Sequence, residues 1–528
     1  MNQKNTNRLM LPLMILSIAF AALLLFSFKA YENTAKKLDE VLAFHAEENT
    51  EIPETTAQDE SIIFLVNGEP LKIELANVAA VYNVKTLNTE FETHITAPDS
   101  NHSILVNETP MVDGVCSIKL DEISKASRIT LTIDGNYYYI NTLPNDFPSF
   151  QAIGKSSTDG FYYTTLDKYL AKFDASGNLV FYRDGNAANA GPFRRNEIDG
   201  EIIYSYLELR SSLHHEPMKD VYYYPSVLVL LNEQYEKIKE VTYMLPTDSV
   251  PEKMLPENHD HIVLGKDHYV LVAYVARKAA NIPEHVEGSE FGSNVAACIF
   301  QEIKDGEVIF EWDSTEHPEL YELSLEACDY TNQTHVWADY AHLNALSIDP
   351  RDNNFICSLR NLDAILKINR ETGDILWIFG GKGDEFGITE EQQFHRQHNI
   401  TVTDDGYYLM FDNGCHVNVL GYPKQTSEEK AALDAISVSR ILKFKLDEEN
   451  MKILDFEEFT VEGFYSASMG SAQVIDNESD TILIGWGGKS RAGMPFFQEI
   501  NFQTKTVNFE MLCNDPNMNC YRVALYNK

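Results

Sequence analysis

Basic residues are scarce in this chain: 42 Lys and Arg stand against 80 Asp and Glu, a formal charge of −38 over 528 residues. A surface of that sign repels phosphate backbones and argues against a nucleic-acid partner. Cysteine is also sparse, seven in all, and no C-x-x-C spacing occurs, which argues against a zinc ribbon. H-E-x-x-H, G-x-x-x-x-G-K-[ST] and G-x-S-x-G are absent, so the motifs of a zinc protease, a P-loop and a nucleophile elbow are missing. The chain does have 44% hydrophobic and 11% aromatic residues, enough for an ordered core and too many for a disordered protein.

Lys4 and Arg8 precede an uncharged apolar run from Leu9 to Phe28. As a helix this run matches the roughly 30 Å hydrocarbon core of a bilayer. With only a poor small-residue cleavage pattern near Lys29 and Ala30, residues 1–30 read as an uncleaved membrane anchor. The rest of the chain is then extracytoplasmic, and secreted if the segment is cleaved. Residues 31–60 are polar and acidic and read as a stalk. Short β-rich runs between turn residues over 61–145 predict a small β-sandwich. Cys298 and Cys357 lie inside apolar runs and read as buried thiols, whereas Cys513 and Cys520 flank a polar loop that a disulfide could close.

From Phe150 to the end at 528 an internal repeat emerges. Strand-turn-strand segments such as YLAKFDASGNLVFYRD (169–184) and AILKINRETGDILWIFG (364–380) occur six times. Each is preceded by a second hairpin-like segment, beginning with FQAIGKSSTDGFYYTT (150–165) and continuing through QHNITVTDDGYYLMFDNG (397–414). Two hairpins make a four-stranded antiparallel sheet that cannot bury both faces alone. Radial packing of six such sheets predicts an all-β fold, a six-bladed β-propeller behind the sandwich and anchor. The long period and a single Trp-Asp pair, Trp312-Asp313, exclude a WD40 array.

Aligning the units by their turns puts His259, His342 and His398 at the entry to the first strand of units three, four and five. First strands line a propeller's channel, so these three of fifteen histidines should meet at one mouth. Hairpin geometry brings Arg360-Asn361, Asp412-Asn413-Gly414 and Trp486 to the same end. Histidines with Asp260 or Asp412 would suit zinc or calcium, but a guanidinium opposes a bound cation, so no metal is expected. Arg suits a tetrahedral oxyanion instead, and imidazoles can attack or transfer protons. Tyr340, Trp486, Trp337 and Phe394 are candidates to stack on aryl rings, and Asn361 and Asn413 to donate hydrogen bonds.

The stretch from His342 to Trp486 resembles the arylsulfate sulfotransferase family, the bacterial PAPS-independent aryl sulfotransferases. It carries H-x-N at His342 to Asn344, SLRNLDAILKI followed by TGDILWIFGGKGDEF, R-Q-H at Arg396 to His398, FDNG at Phe411 to Gly414, SRILKFKLDEEN, and MGSAQ with LIGWG. His259-Asp260 and the 169–184 segment extend the resemblance over roughly residues 150–525. It implies a six-bladed propeller behind an N-terminal β-domain and a ping-pong transfer of a sulfuryl group from an aryl sulfate to a phenol. The resemblance makes His398 the nucleophile that becomes sulfohistidine, and gives sulfate binding and proton handling to His259, His342 and Arg360. It implies no nucleotide cofactor. Asn399 follows His398 where the family pattern has Asp or Thr.

Two other functions are compatible with these residues: a surface propeller that binds sulfated or glycan ligands without turnover, and a metal-dependent hydrolase or lyase. Dimerisation is left open.

Overall fold

A computed structural model of the chain describes residues 61–527 apart from 87–91, 97–101, 120–127, 186–190, 211–222, 332–336, 420–421, 489–492 and 514–518. The expected anchor and the stalk lie outside the described residues. Among the described residues no helix is long and apolar enough to cross a membrane. The described residues of Ile62–Ile73 and Asn77–Lys528 form one compact unit.

The described chain is mostly β and forms eight sheets. Two of them use strands between Ser61 and Pro144, where the sandwich was expected. In Ser61–Val66 the alternation is clear: Ile62, Phe64 and Val66 are buried, while Ile63 and Leu65 face outward.

The other six sheets run from Phe150 to Tyr526 in a propeller-like arrangement. Four of them are simple meanders of consecutive strands, as in His261–Gly265, His268–Lys278, Asn294–Lys304 and Glu307–Asp313. Middle strands such as Ser226–Leu231 and Asn294–Lys304 are buried along almost their whole length, whereas the outer strand Lys237–Val241 is largely exposed. That gradient follows from sheets packed face to face, in which only the outermost strand meets water. Tight turns carry Asp-Gly with both residues at positive φ, at Asp199-Gly200 and Asp305-Gly306, which matches the twist of paired strands. The first strands neighbour one another in order: Arg194–Ile198, His261–Gly265, Leu343–Ile348, His398–Val402, Ser471–Asp476 and Cys520–Tyr526.

Two expectations need correction. Residues 150–165 are not a hairpin: Phe150–Gly154 pairs with Thr506–Cys513, and Phe161–Leu166 pairs with Cys520–Tyr526. The last strand of the chain therefore completes the sheet begun by Phe161–Leu166, a long-range pairing that no local turn pattern displays. The second concerns Cys513 and Cys520: both are thiols, and the Cys520 sulfur lies 3.1 Å from the Thr164 hydroxyl.

Candidate functional site

Three of the first strands have a chemically distinctive residue at or just before their start. His398 opens its strand, and the register slips between His398 and Ile400; the same slip occurs between Leu343 and Ala345 just after His342. Such bulges re-aim side chains. His342 and Asn399 both sit at φ 52°, a left-handed conformation that costs a non-glycine residue of order 1 kcal/mol or more. His259 lies two residues before its strand, with its N–H bonded to a Glu257 carboxylate oxygen at 2.7 Å. Arg360 follows the second strand of the fourth sheet in a short turn, and its N–H donates to the His342 carbonyl at 3.0 Å.

His259, His342, Arg360 and His398 line one pocket of about 220 Å³, together with Tyr224, Val419 and Met469. The His259 and His342 rings meet edge to face at 4.9 Å. The lining thus combines imidazole and guanidinium groups with apolar side chains, a composition suited to an aryl ring bearing an anionic group.

Each histidine has its Nδ1 engaged. That of His398 is 2.7 Å from Asn413 Oδ1 and 3.1 Å from the Arg396 carbonyl, and a carbonyl can only accept, so Nδ1 bears the hydrogen. The Asn413 amide is held in this orientation because its Nδ2 donates to the Ser466 and Met469 carbonyls at 2.7 and 3.0 Å. The Nε2 of His398 consequently carries the lone pair. Nδ1 of His259 pairs with Glu257 and Nδ1 of His342 with Asp339, each at 2.6 Å. Burial, then Arg360 and His259, hold His398 well below the usual imidazole range; burial, His259 and Arg360 do the same to His342. Burial raises Asp339 to about 7 against the pull of Arg360 and His259.

Arg360 is 4% exposed, and its two bonds, to Glu326 at 2.8 Å and to Asn361 Oδ1 at 2.5 Å, both fall on Nη1. Glu326 Oε2 also accepts from Arg396 Nε at 2.7 Å, and Arg396 reaches on to Asp363 and Asn418.

The four residues expected to converge do line one pocket; the four expected beside them do not. Asn361 and Asn413 are fully buried supports, Asn361 donating to the Asp339 carbonyl at 2.5 Å. Tyr340 is buried against Tyr321 and donates to Ser314 at 2.8 Å. Trp486 is buried against Phe411 and Phe464, with its N–H on Gln498 at 2.9 Å. Large aromatics at these strand ends bury apolar area between sheets, which outweighs any role at the mouth. Phe394 packs likewise on Phe379. Glu257, Asp339 and Glu326 were not singled out from the sequence, and Arg396 only as the first residue of R-Q-H, although Glu257 and Asp339 stand only two and three residues ahead of their histidines. Among the described residues no His, Cys, Asp and Glu group is arranged to hold a metal.

Comparison with known proteins agrees with the motifs. The chain is 25% identical over 222 residues to an arylsulfate sulfotransferase from Escherichia coli, with 35% of either chain covered. It is 26% identical over 222 residues to the one from Lelliottia amnigena, again covering 35% of each. The match thus spans about a third of the length of these curated relatives. Among solved structures, a Bacteroides caccae protein of unknown function aligns over 70% of this chain and all of its own, at 11% identity and a TM-score of 0.36. The arylsulfotransferase family model matches residues 151–522, well over half of the sequence, and the chain belongs to that family.

Proposed function

We propose that this protein moves a sulfuryl group from an aryl sulfate to a phenol in two steps, through a sulfohistidine at His398. One observation carries the reading: the Nδ1 of His398 is held by two oxygen acceptors, so a neutral ring offers its Nε2 lone pair in a pocket that also contains Arg360. In the first step Nε2 bonds to sulfur while the bond from sulfur to the aryl oxygen breaks. The leaving aryloxide, whose phenol has a pKa of about 10, takes a proton from His259, whose Nδ1 pairs with the Glu257 carboxylate. Arg360 balances charge on the sulfuryl oxygens, an effect of about 3–4 kcal/mol per donor in comparable sites. In the second step the acceptor phenol returns a proton to the same imidazole, its oxygen bonds to sulfur, and the bond from sulfur to nitrogen breaks. Tyr224, Val419 and Met469 in the lining would receive the aryl ring.

The scaffold in this reading is a six-bladed propeller over 150–528, closed by pairing of Cys520–Tyr526 with Phe161–Leu166 and preceded by a β-sandwich domain over 61–145. The apolar run from Leu9 to Phe28 would tether it to a membrane with the pocket on the extracytoplasmic side.

The test is release of nitrophenolate from 4-nitrophenyl sulfate in the presence of a phenol. Intact mass of enzyme quenched during turnover should show one added sulfuryl group on the peptide that contains His398. His398→Asn should lose both, with turnover down by about 10³-fold or more. A fully active His398→Asn protein, or binding of the ester without release by the parent, overturns the proposal.

A further inference from the structure

Farther along the same first strands lies a second pocket of about 200 Å³. Where the first pocket is lined by His398, Met469 and Tyr521, this one is lined by Thr401, Gln473 and Ala524, farther down those chains. Arg194 and Arg522 supply its charge. Both guanidiniums bond to Asp260, Arg194 Nη2 to Oδ1 at 2.6 Å and Arg522 Nη1 to Oδ2 at 2.7 Å. Asp260 also accepts from the His261 and Leu346 N–H groups at 2.9 Å, so its oxygens are saturated. It is the one carboxylate bonded to either guanidinium among the described residues.

Two guanidiniums thus share one bonded carboxylate, and Nη2 of Arg522 donates to the Asn344 carbonyl at 2.7 Å. The Nε of Arg194 is buried and makes no hydrogen bond. A charged N–H left unsatisfied away from water is costly, and a planar guanidinium edge is shaped for an oxyanion. The field is felt nearby: His261 is pushed down to about 3, by burial first and then by Arg194, while Asp260 pulls the other way. Thr401 and Ser471 also line the pocket, their hydroxyls donating to the Ala472 and Val523 carbonyls at 3.4 and 3.2 Å.

We infer that this second pocket binds one small inorganic oxyanion of the sulfate and phosphate class, held by Arg194 and Arg522 beneath the histidine pocket. The inference stands apart from the transfer reading, since none of its residues lines the first pocket.

The test is a thermal-shift titration of the full chain at pH 7 with sodium sulfate against sodium gluconate at equal ionic strength. Sulfate should raise the Tm saturably, as a ligand of the folded state does, and saturation by phosphate in its place supports the same site. The Arg360→Gln protein separates the two pockets, because the first would also attract a sulfuryl-like anion. The shift should persist in Arg360→Gln, whereas Arg194→Gln should weaken the apparent affinity by about tenfold or more. No saturable shift in the parent, or a shift lost in Arg360→Gln and kept in Arg194→Gln, overturns the inference. Should Arg194→Gln not fold, selenate-soaked crystals of the parent decide: an anomalous peak within hydrogen-bond reach of the Arg194 or Arg522 guanidinium supports the site, and its absence overturns it.

Discussion

Asn413 uses both ends of its amide, donating to two backbone carbonyls while its oxygen receives the Nδ1–H of His398. That makes the tautomer of His398 a property of a neighbour fifteen residues away. Asn413→Ala removes the shorter of the two acceptors and leaves the Arg396 carbonyl at 3.1 Å. Partners that orient a reactive imidazole are worth about 10–100-fold. Turnover should therefore fall by that order in kcat with KM little changed, measured with 4-nitrophenyl sulfate; an unaltered kcat would show that the carbonyl alone holds the ring. At this scale the sequence was legible where chemistry coincided with repetition. His259, His342 and His398 stood out because three units place the same rare residue at one position. Glu257 and Asp339 did not, because an acidic residue near a strand start is ordinary in a chain with 80 of them. Tyr340 and Trp486 misled because an aromatic at a strand end reads the same whether it faces a mouth or, as here, a core.

Hairpins are local and closure is not, and the elements divide along that line. Strand, turn and strand within forty residues leave a pattern of alternating apolar positions around Asp-Gly or Asn-Gly turns. Residues 259–313, 342–380 and 397–459 accordingly fold into sheets in sequence order. The pairing of Phe161–Leu166 with Cys520–Tyr526 joins residues more than 350 apart and leaves no such pattern. The same strand delivers Tyr521, whose hydroxyl donates to the His259 carbonyl at 2.8 Å, and Arg522, which bonds to Asp260. Deleting residues 519–528 should thus expose Phe161–Leu166 as an unpaired edge and leave Asp260 short of a cation. An exposed hydrophobic edge invites aggregation. The expected outcome is loss of soluble monomer on gel filtration; a shortened chain with the parent's Tm would refute a closing role for that strand. Loops also matter at this scale. Gly414 lies at φ 59°, and a Cβ there would collide with the Val438 carbonyl. Gly414→Ala should destabilise the chain by about 1–3 kcal/mol and shift Asn413 beside it, visible as a lowered Tm together with lowered kcat.

Across the whole molecule, buried ionisable groups on the first strands set how the protein meets acid. His261 is fully buried with Nε2 2.8 Å from the Ser205 hydroxyl, and it is pushed down to about 3. In the unfolded chain it titrates near 6.5. Between those values the unfolded state binds a proton that the folded state refuses. Its stabilising contribution is complete above about pH 6.5 and is lost as pH falls toward 3, at about 1.4 kcal/mol per pH unit. His342 and His398, also held well below their usual range, act in the same direction below 6.5, and Asp339, raised to about 7 by burial, opposes them because the folded state takes up its proton first, one group against three. Asp260 acts lower down: burial alone would raise it, but Arg522 and Arg194 outweigh burial and hold it at about 2. Its contribution is present above about 3.9 and disappears as pH drops to 2. Acid sensitivity should therefore begin near pH 6.5, well before surface carboxylates titrate, because the same burial that keeps the imidazoles neutral for chemistry makes them a liability in acid. Thermal unfolding from pH 8 to 4 should show the Tm falling from about 6.5 downward, and His261→Gln should flatten that slope even if it lowers the Tm at neutral pH. A Tm that stays level to pH 5 would mean that these rings are reached by water and protonated in the folded state, which would also remove the neutral imidazole on which attack by His398 depends.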